Sequence, residues 1–290
     1  MHVLLFGKTV TDQNAPYLEE LFTALKTEKI RTSIYAPYKE ILLTEHPEMA
    51  DIPGLDTLED TDVDIVITLG GDGTILQAVT LIGALEIPIL GINLGRMGFL
   101  ATIENRLSGQ AIKQIARGMY SVESRSMLYL ETDQDIFHNQ RFALNDFTLH
   151  KRDTSSMVTI HTYINGDYLT SYWADGLIVS TPTGSTGYSL SCGGPIVFPN
   201  SGNFIVTPVA PHNLSVRPIV ISDSSVISFE IEGRSTNFLC TLDSRYELVS
   251  PEYQLAVRKC DFRTKLILPD NFSFLRTIHE KLTWGKDTRN

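Results

Sequence analysis

Residues 64–74 read Asp64-Ile65-Val66-Ile67-Thr68-Leu69-Gly70-Gly71-Asp72-Gly73-Thr74, an apolar run that ends in a glycine-rich turn. The run before the glycines has the length and β-branched content of a buried strand, and helical spacing of apolar residues follows the turn. A strand that opens through glycines into a helix directs backbone N–H groups and a helix N-terminus at one point, an arrangement that binds phosphate. The segment therefore predicts an α/β fold with a phosphate site at Gly70, Gly71, Gly73 and Thr74.

Asp72 is the unusual member of this turn. A carboxylate beside a bound phosphate is repulsive unless it has a task, such as accepting a proton from a hydroxyl nucleophile or holding Mg²⁺. The structural alternative is an aspartate that caps the helix in a tight turn. The residues alone leave these three interpretations open.

The pattern of elements changes along the chain. Short apolar strands alternate with helical patterns in the first third, which predicts a parallel sheet covered on both faces. After about residue 125 the apolar segments have the pattern of strands. Apolar residues at helical spacing occur again only near the end of the chain, at 274–284. We expect a Rossmann-like α/β domain that carries the glycine turn, a β-rich, sandwich-like domain, and a C-terminal helix that packs back on the first domain, with bounds 1–126, 127–272 and 273–290.

A second unusual stretch covers residues 175–195, where an apolar strand opens into Thr181-Pro182-Thr183-Gly184-Ser185-Thr186-Gly187-Tyr188. This run offers hydroxyl and N–H groups but no Lys or Arg, as a loop around sugar and phosphate oxygens would. The alternative is a flexible hairpin loop. The bulk of Tyr188 and the rigidity of Pro182 favour the binding loop.

Composition excludes several functional classes. The chain has 24 Lys and Arg against 34 Asp and Glu, a net charge of −10 that disfavours a broad nucleic-acid surface. The N-terminus lacks the pattern of a signal peptide, and no apolar run has the length of a membrane span, so we expect a cytoplasmic protein with no membrane partner. Neither the three cysteines nor the histidines have the spacing of metal ligands, so no protein-held metal is predicted.

Two nucleotide-binding motifs are absent. Gly7-Lys8-Thr9 resembles the end of a P-loop. A P-loop also needs a glycine five residues before Gly7, and that position is occupied by His2. Gly91, Gly95 and Gly98 do not have the spacing of the dinucleotide fingerprint.

The turn at 70–74 is similar to the signature of a kinase superfamily that includes NAD kinases, diacylglycerol kinases and, more distantly, phosphofructokinases. Further stretches resemble NAD kinases in order and spacing, and extend the resemblance over nearly the whole chain. They are 93–100, Leu144-Asn145-Asp146, the run 175–195, and 211–218. Residues 181–188 are the most specific of them.

The resemblance implies a kinase that phosphorylates NAD to NADP at the 2′-hydroxyl of the adenosine ribose, with Asp72 as general base. ATP or polyphosphate would be the donor, Mg²⁺ would enter with ATP, and no cofactor would be tightly bound. A homodimer or homotetramer is expected. Asn145 and Asp146 would hold the nicotinamide-side ribose, and Asp175 would lie beside the nicotinamide. The remaining dinucleotide contacts would come from Gly73 and, around the adenosine, from Phe99, Thr186, Tyr188 and Ser191.

This sequence departs from the family pattern at three places. Asp146 stands where Glu is usual, Gly187 replaces Ala, and Asp243-Ser244-Arg245 replaces Asp-Gly-Gln.

Two other functions fit part of the pattern. A lipid kinase of the same superfamily would keep Asp72 but would not explain residues 181–188, and a non-catalytic dinucleotide sensor would gain nothing from Asp72.

Overall fold

The chain divides into two compact units, one formed by residues 1–124 with 264–290 and the other by 125–263. The computed structural model describes residues 1–9, 14–95, 98–152, 157–233, 236–269 and 272–284. In chain order the α-helices are α1 (Ala15–Thr27), α2 (Ala36–Glu45), α3 (Asp72–Ile82), α4 (Ser108–Ala116), α5 (Tyr188–Ser191) and α6 (Phe274–Leu282). The strands are β1 (His2–Gly7), β2 (Arg31–Tyr35), β3 (Gly54–Leu55), β4 (Ile65–Leu69), β5 (Ile89–Asn93), β6 (Ile103–Glu104), β7 (Ser121–Arg125), β8 (Leu128–Thr132), β9 (Phe142–Ala143), β10 (Asp146–Lys151), β11 (Val158–Ile164), β12 (Asp167–Ala174), β13 (Gly176–Ser180), β14 (Asn203–Val209), β15 (Ile219–Ser222), β16 (Ile227–Glu232), β17 (Phe238–Leu242), β18 (Arg245–Val249), β19 (Leu255–Lys259) and β20 (Thr264–Leu268).

The first unit is built on a sheet with the order β3-β2-β1-β4-β5-β20-β7, and β6 also pairs with β5. The pairs β1–β2, β1–β4, β4–β5 and β5–β20 are parallel. Strands β1, β4 and β5 are buried along their whole length, because helices cover both faces of the sheet. On one face Ile67 and Leu90 share a core with Leu21 of α1 and Ile112 of α4. On the other face α3 lies so close to β5 that a Cβ on Gly91 would come within 2.7 Å of the Ile75 side chain.

Strand order places the glycine turn at a special point of this sheet. From β1 the chain moves outward to β2 and β3, and then returns to β4 on the other side of β1. The order reverses between β1 and β4, and open α/β sheets bind ligands outside the carboxyl ends of strands at such a reversal. Residues 70–74 follow the carboxyl end of β4.

The second unit is a sandwich of two six-stranded antiparallel sheets, with the orders β15-β14-β13-β10-β17-β18 and β12-β11-β16-β19-β8-β9. Alternate residues of both sheets point inward into one core. Phe147 of β10 and Phe229 of β16 stack across it with ring centroids 5.3 Å apart. The predicted fold class, an α/β domain followed by a β-rich sandwich and a terminal helix, is confirmed.

The last strand departs from the expected division. Residues 264–268 fall inside the predicted β-rich domain of 127–272, yet β20 pairs in parallel with β5, Leu266 opposite Ile89. It therefore belongs to the first unit, together with α6. The physical reason is that a five-residue apolar strand carries the same pattern in either sheet, so pairing is decided by tertiary contacts.

Candidate active site

Glycines shape the turn between β4 and α3 in two ways. A Cβ on Gly70 would lie 2.2 Å from the hydroxyl of Thr74, so Gly70 is required by packing inside the turn. Thr74 itself is buried, with 7% of its surface exposed. A Cβ on Gly71 or Gly73 would meet no atom within 4 Å. The space over these two glycines is open, as close approach of a ligand to the backbone would require.

Asp72 is the first residue of α3, and the N-cap position is Gly71. The Asp72 carboxylate accepts three backbone N–H bonds from the segment that follows β5. Its Oδ2 accepts from Phe99 at 2.8 Å, and its Oδ1 from Leu100 at 3.1 Å and Ala101 at 3.0 Å. These bonds fix the orientation of the carboxylate, and we call residues 70–74 with 98–101 the turn cluster.

Gly98 lets the two halves of the turn cluster meet. A Cβ on Gly98 would lie 1.7 Å from Oδ1 of Asp72, so any side chain there would displace the carboxylate. Phe99 is half-buried, and its ring lies 6.4 Å from that of Phe274 at the start of α6. The segment after β5 is therefore fixed by its hydrogen bonds to Asp72, and it contacts the terminal helix of the same unit.

In the second unit a buried aspartate anchors residues 144–146. Asp243 stands in the tight turn between β17 and β18, where its φ is 53°. Its carboxylate accepts N–H bonds from Leu144 at 2.9 Å, Asn145 at 2.7 Å and Asp146 at 3.2 Å. Burial raises the pKa of Asp243, while these three bonds act in the opposite direction. The hydrogen bonds to the Asp243 carboxylate thus fix the positions of Asn145 and Asp146.

Asp146 has a different environment from its anchor. Only 7% of Asp146 is exposed, and burial together with the charge of Asp243 raises the pKa of Asp146 to about 7. The adjacent Asn145 has a buried Oδ1 without a hydrogen-bond partner. Both side chains therefore retain unused capacity to accept hydrogen bonds.

The run 181–191 is a fixed loop that packs on Asn145. The Thr181 hydroxyl donates to the carbonyl of Leu144 at 2.6 Å, and a Cβ on Gly184 would lie 2.1 Å from the carbonyl of Asn145. The Ser185 hydroxyl donates to Pro182 at 2.7 Å, and that of Ser189 shares a 2.8 Å bond with Thr207. These buried contacts argue against a flexible hairpin loop.

Tyr188 and Asp175 lie at the outer side of this loop. Tyr188 is 41% exposed, and its pKa is raised by partial burial and by the nearby Cys192, Asp146 and Asp175. Asp175 forms an ion pair with Lys151, with Nζ and Oδ1 2.5 Å apart. We call residues 144–146, 175 and 181–191 the loop cluster.

Two family models together match most of the chain. Residues 3–120 match the family model described as the ATP-NAD kinase N-terminal domain, and residues 144–268 match the ATP-NAD kinase C-terminal domain. The chain belongs to the NAD kinase family. It is 46% identical to the NAD kinase of Cytophaga hutchinsonii over 99% of both chains, and 40% identical to that of Bacteroides fragilis over the whole of both.

Solved structures of NAD kinases share the fold. Yeast NADH kinase complexed with NADH superposes with a TM-score of 0.87 at 25% identity, over 99% of this chain and 89% of that one. An NAD kinase from Archaeoglobus fulgidus in complex with ATP gives a TM-score of 0.77 at 23% identity, over 98% and 99% of the two chains, and this likeness concerns the fold alone.

The residues singled out from the sequence of this NAD kinase family member fall in the two clusters. The turn cluster contains Asp72 with the glycines, Thr74 and Phe99, and the loop cluster contains Asn145, Asp146, Asp175, Thr186, Tyr188 and Ser191. Within the described ranges no group of three or more His, Cys, Asp or Glu side chains has the arrangement of a metal site. Among those same residues, no helix has both the length and the apolar content that a membrane span requires.

Three structural partners were not identified from the sequence as site residues. Gly98 backs the Asp72 carboxylate, Asp243 anchors residues 144–146, and Lys151 pairs with Asp175. A local signal existed for Asp243, because an Asp before a Ser between two strand patterns is typical of a tight turn. Lys151 lies 24 positions from Asp175 in the chain, and only the pairing of β10 with β13 brings their backbones together.

Proposed function

We propose that this member of the NAD kinase family transfers the γ-phosphoryl group of MgATP, or a phosphoryl group of polyphosphate, to the 2′-hydroxyl of the adenosine ribose of NAD. Asp72 is the general base. The observation that carries the proposal is a carboxylate fixed by three N–H bonds at the start of α3, beside the open backbone of Gly71 and Gly73.

The chemistry needs little from Asp72 beyond position. As the 2′-oxygen forms its bond to phosphorus, the bond from phosphorus to the ADP oxygen breaks, and the hydroxyl proton passes to the Asp72 carboxylate. In a loose phosphoryl-transfer transition state charge develops on the phosphoryl oxygens, so in-line placement and electrostatic stabilisation carry most of the catalysis. Backbone N–H groups at the N-terminus of α3 supply part of that positive field.

The divalent cation belongs to the donor substrate in this proposal. Mg²⁺ enters with the triphosphate, which is how Mg²⁺ is commonly bound. The chain contributes orientation of the hydroxyl and of the phosphates.

The loop cluster holds the dinucleotide. Asn145 and Asp146, with their unused acceptor capacity, bind the hydroxyls of the nicotinamide-side ribose, and Asp175 lies beside the nicotinamide. The adenosine is contacted by four further side chains, namely Phe99, Thr186, Tyr188 and Ser191. The homodimeric or homotetrameric state that the family resemblance implies, and the cytoplasmic location expected from the sequence, are part of this proposal.

The test is NADP formation from NAD with MgATP and, separately, with polyphosphate, measured through an NADP-specific dehydrogenase. We expect Asp72→Asn to lower kcat by roughly 10²-fold or more, the scale of losing a general base. In the asparagine side chain, one of the two oxygens that accept backbone N–H bonds is replaced by an NH2 group, which is a donor. A fall in Tm is therefore expected, and Tm is measured alongside NAD binding.

Asp51→Asn, at an exposed position of the same unit, is the matched control and should keep wild-type turnover. Turnover of Asp72→Asn within a few-fold of wild type would remove Asp72 from the role. NAD binding to the wild type without NADP from either donor would instead identify a dinucleotide sensor.

A further inference from the structure

The turn between β17 and β18 carries two charged side chains that bind one segment of the chain. Asp243 accepts N–H bonds from residues 144–146. Arg245, two positions later, directs its guanidinium group at the residues just before them. Its Nη1 donates to the carbonyl of Gln140, and its Nη2 donates to the carbonyl of Phe142. The whole segment is therefore bound at both ends from a single tight turn.

The backbone just before this segment has an unfavourable conformation. Phe137, His138 and Asn139 have φ values of 59°, 43° and 65°. Three consecutive non-glycine residues with left-handed φ are uncommon, because the Cβ of an L-residue crowds the following carbonyl oxygen there. Such a conformation persists only where the surrounding structure determines it. We call residues 137–139 the left-handed turn, and it needs contacts from outside to keep its shape.

Arg245 contacts the left-handed turn as well as the carbonyls that follow it. Its guanidinium carbon lies 5.9 Å from the ring centroid of Phe137 and 5.4 Å from that of Phe142, within the range of cation–π attraction. The side chain is half-buried, and a guanidinium presents its donors in a rigid, planar fork. One side chain thus holds the first ring of the turn and two carbonyls beyond it.

Charge adds a second link between Arg245 and the loop cluster. Burial raises the pKa of Asp243, while the three N–H bonds to its carboxylate and the charge of Arg245 act in the opposite direction. The ionised carboxylate is the stronger acceptor of backbone N–H bonds. Arg245 therefore also supports the form of Asp243 that holds residues 144–146.

We propose that Arg245 is a positioning residue for the dinucleotide, which holds the backbone of residues 137–142 so that residues 145 and 146 meet the ribose in a fixed place. The inference rests on the proposed function, because it takes these two residues as the ribose-binding residues. It gives a role to the arginine that departs from the family pattern Asp-Gly-Gln. Arg245 acts in this role through the backbone and through Asp243, without touching the substrate.

The first test compares two arginines that bind the backbone between β8 and β9. Arg141, like Arg245, donates to two carbonyls, but these belong to Thr132 and Gln134, before the left-handed turn. NAD affinity is measured by calorimetry without a phosphate donor, and Tm is measured alongside. We expect Arg245→Met to weaken NAD binding about tenfold, a loss of the size of one hydrogen bond to a charged group. Arg141→Met should lower Tm but leave NAD affinity nearly unchanged.

Arg245→Lys replaces Arg245→Met in this comparison if the methionine variant does not fold. Lysine keeps a positive charge near Asp243, but its single ammonium group lacks the planar fork that serves two carbonyls. We expect Arg245→Lys to weaken NAD binding about threefold, a loss of the size of one neutral hydrogen bond.

The second test uses the conformation of the left-handed turn. Glycine adopts left-handed φ without a steric penalty, and His138 is exposed, so His138→Gly relieves the turn without removing a packed side chain. A relieved turn depends less on Arg245. In the His138→Gly background we therefore expect Arg245→Met to weaken NAD binding less than about threefold, as coupled residues in a double-mutant cycle do.

Three results would overturn the proposal. They are NAD affinity unchanged by Arg245→Met, an equal loss of NAD affinity in Arg141→Met, and an Arg245→Met effect of the same size with and without His138→Gly. These readouts are binding constants, so they stand apart from the kinase assay. A wild type that binds NAD but forms no NADP would contradict the proposed function alone.

Discussion

The carboxylates of Asp72, Asp146 and Asp243 differ in the backbone donors that they receive. Asp72 and Asp243 each accept three backbone N–H bonds, whereas Asp146 receives none from the described residues. A buried carboxylate without donors favours its neutral form, and a second carboxylate nearby adds to this effect. Asp146 is therefore the group of the loop cluster whose charge changes near neutral pH.

The raised pKa of Asp146, about 7, predicts a pH-dependent stability. An unfolded aspartate loses its proton near pH 4, so between about pH 4 and 7 the folded state binds more protons and its unfolding free energy falls as pH rises. Asp146→Asn removes this titration while keeping the shape of the side chain. We expect the Tm of Asp146→Asn relative to wild type to rise from pH 5 to pH 8.

The size of this effect follows from the pKa. A pKa raised by about three units contributes about 4 kcal/mol to the unfolding free energy at low pH. Roughly one third of this contribution is already lost at pH 5. At about 2–4 °C per kcal/mol, the Tm difference between variant and wild type should grow by several degrees over this range. A difference that stays constant from pH 5 to pH 8, measured by calorimetry, would mean that Asp146 ionises in the folded protein as it does in the unfolded chain.

One loop and one helix of the first unit meet at the Asp72 carboxylate. The segment after β5 supplies the N–H donors for Asp72 at the start of α3, and β4 and β5 are adjacent parallel strands. Because the carboxyl ends of parallel strands meet at one edge of a sheet, the loop and the helix N-terminus are brought together by strand order alone. Gly98 sets how closely they approach.

Gly98→Ala tests this contact, and Gly95→Ala is its matched control in the same loop. The new Cβ at residue 98 would lie 1.7 Å from the Asp72 carboxylate, whereas at residue 95 the nearest atom, Oδ1 of Asn93, is 3.9 Å away. We expect Gly98→Ala to cost about 1–3 kcal/mol of unfolding free energy, as overpacking does, and to lower kcat at least tenfold. Gly95→Ala should leave Tm nearly unchanged, and equal turnover in the two variants would exclude the contact as a determinant of catalysis.

At the scale of the whole molecule, the chain leaves the first unit after residue 124 and returns at residue 264. The returning strand β20 lies between β5 and β7 in the sheet order, so the first sheet is incomplete without the last residues of the chain. The second unit, by contrast, is continuous in sequence and contains its own two-sheet core.

This organisation predicts how fragments behave. Residues 125–263 alone should unfold cooperatively on heating, because their core is complete. Residues 1–124 alone should not, since β5 and β7 lose the strand between them. Joining residues 264–290 to residues 1–124 through a flexible Gly/Ser linker should restore cooperative unfolding, followed by circular dichroism. A cooperative transition in the 1–124 fragment without the C-terminal residues would contradict this prediction.

Local sequence patterns were enough to predict several elements and the two stretches that carry the candidate site residues. The apolar run 65–69 with its glycines predicted strand, turn and helix, and the structure has β4 and α3 at these residues. The strand-like pattern predicted after about residue 125 corresponds to the strands of the two antiparallel sheets, β11, β13 and β17 among them. These features are local, since propensity, periodicity and glycine placement act over a few residues.

The contacts between residues far apart in the chain could not be predicted from these local patterns. The tertiary structure placed β20 in the first sheet, Asp243 under residues 144–146, and Lys151 against Asp175. It also brought together two departures from the family pattern, because the Cβ position of Gly187 lies 4.0 Å from the carboxylate of Asp146, 41 positions away in the chain. The physical reason is that strand pairing and buried hydrogen bonds join segments far apart in sequence, and the local pattern of each segment is compatible with many partners.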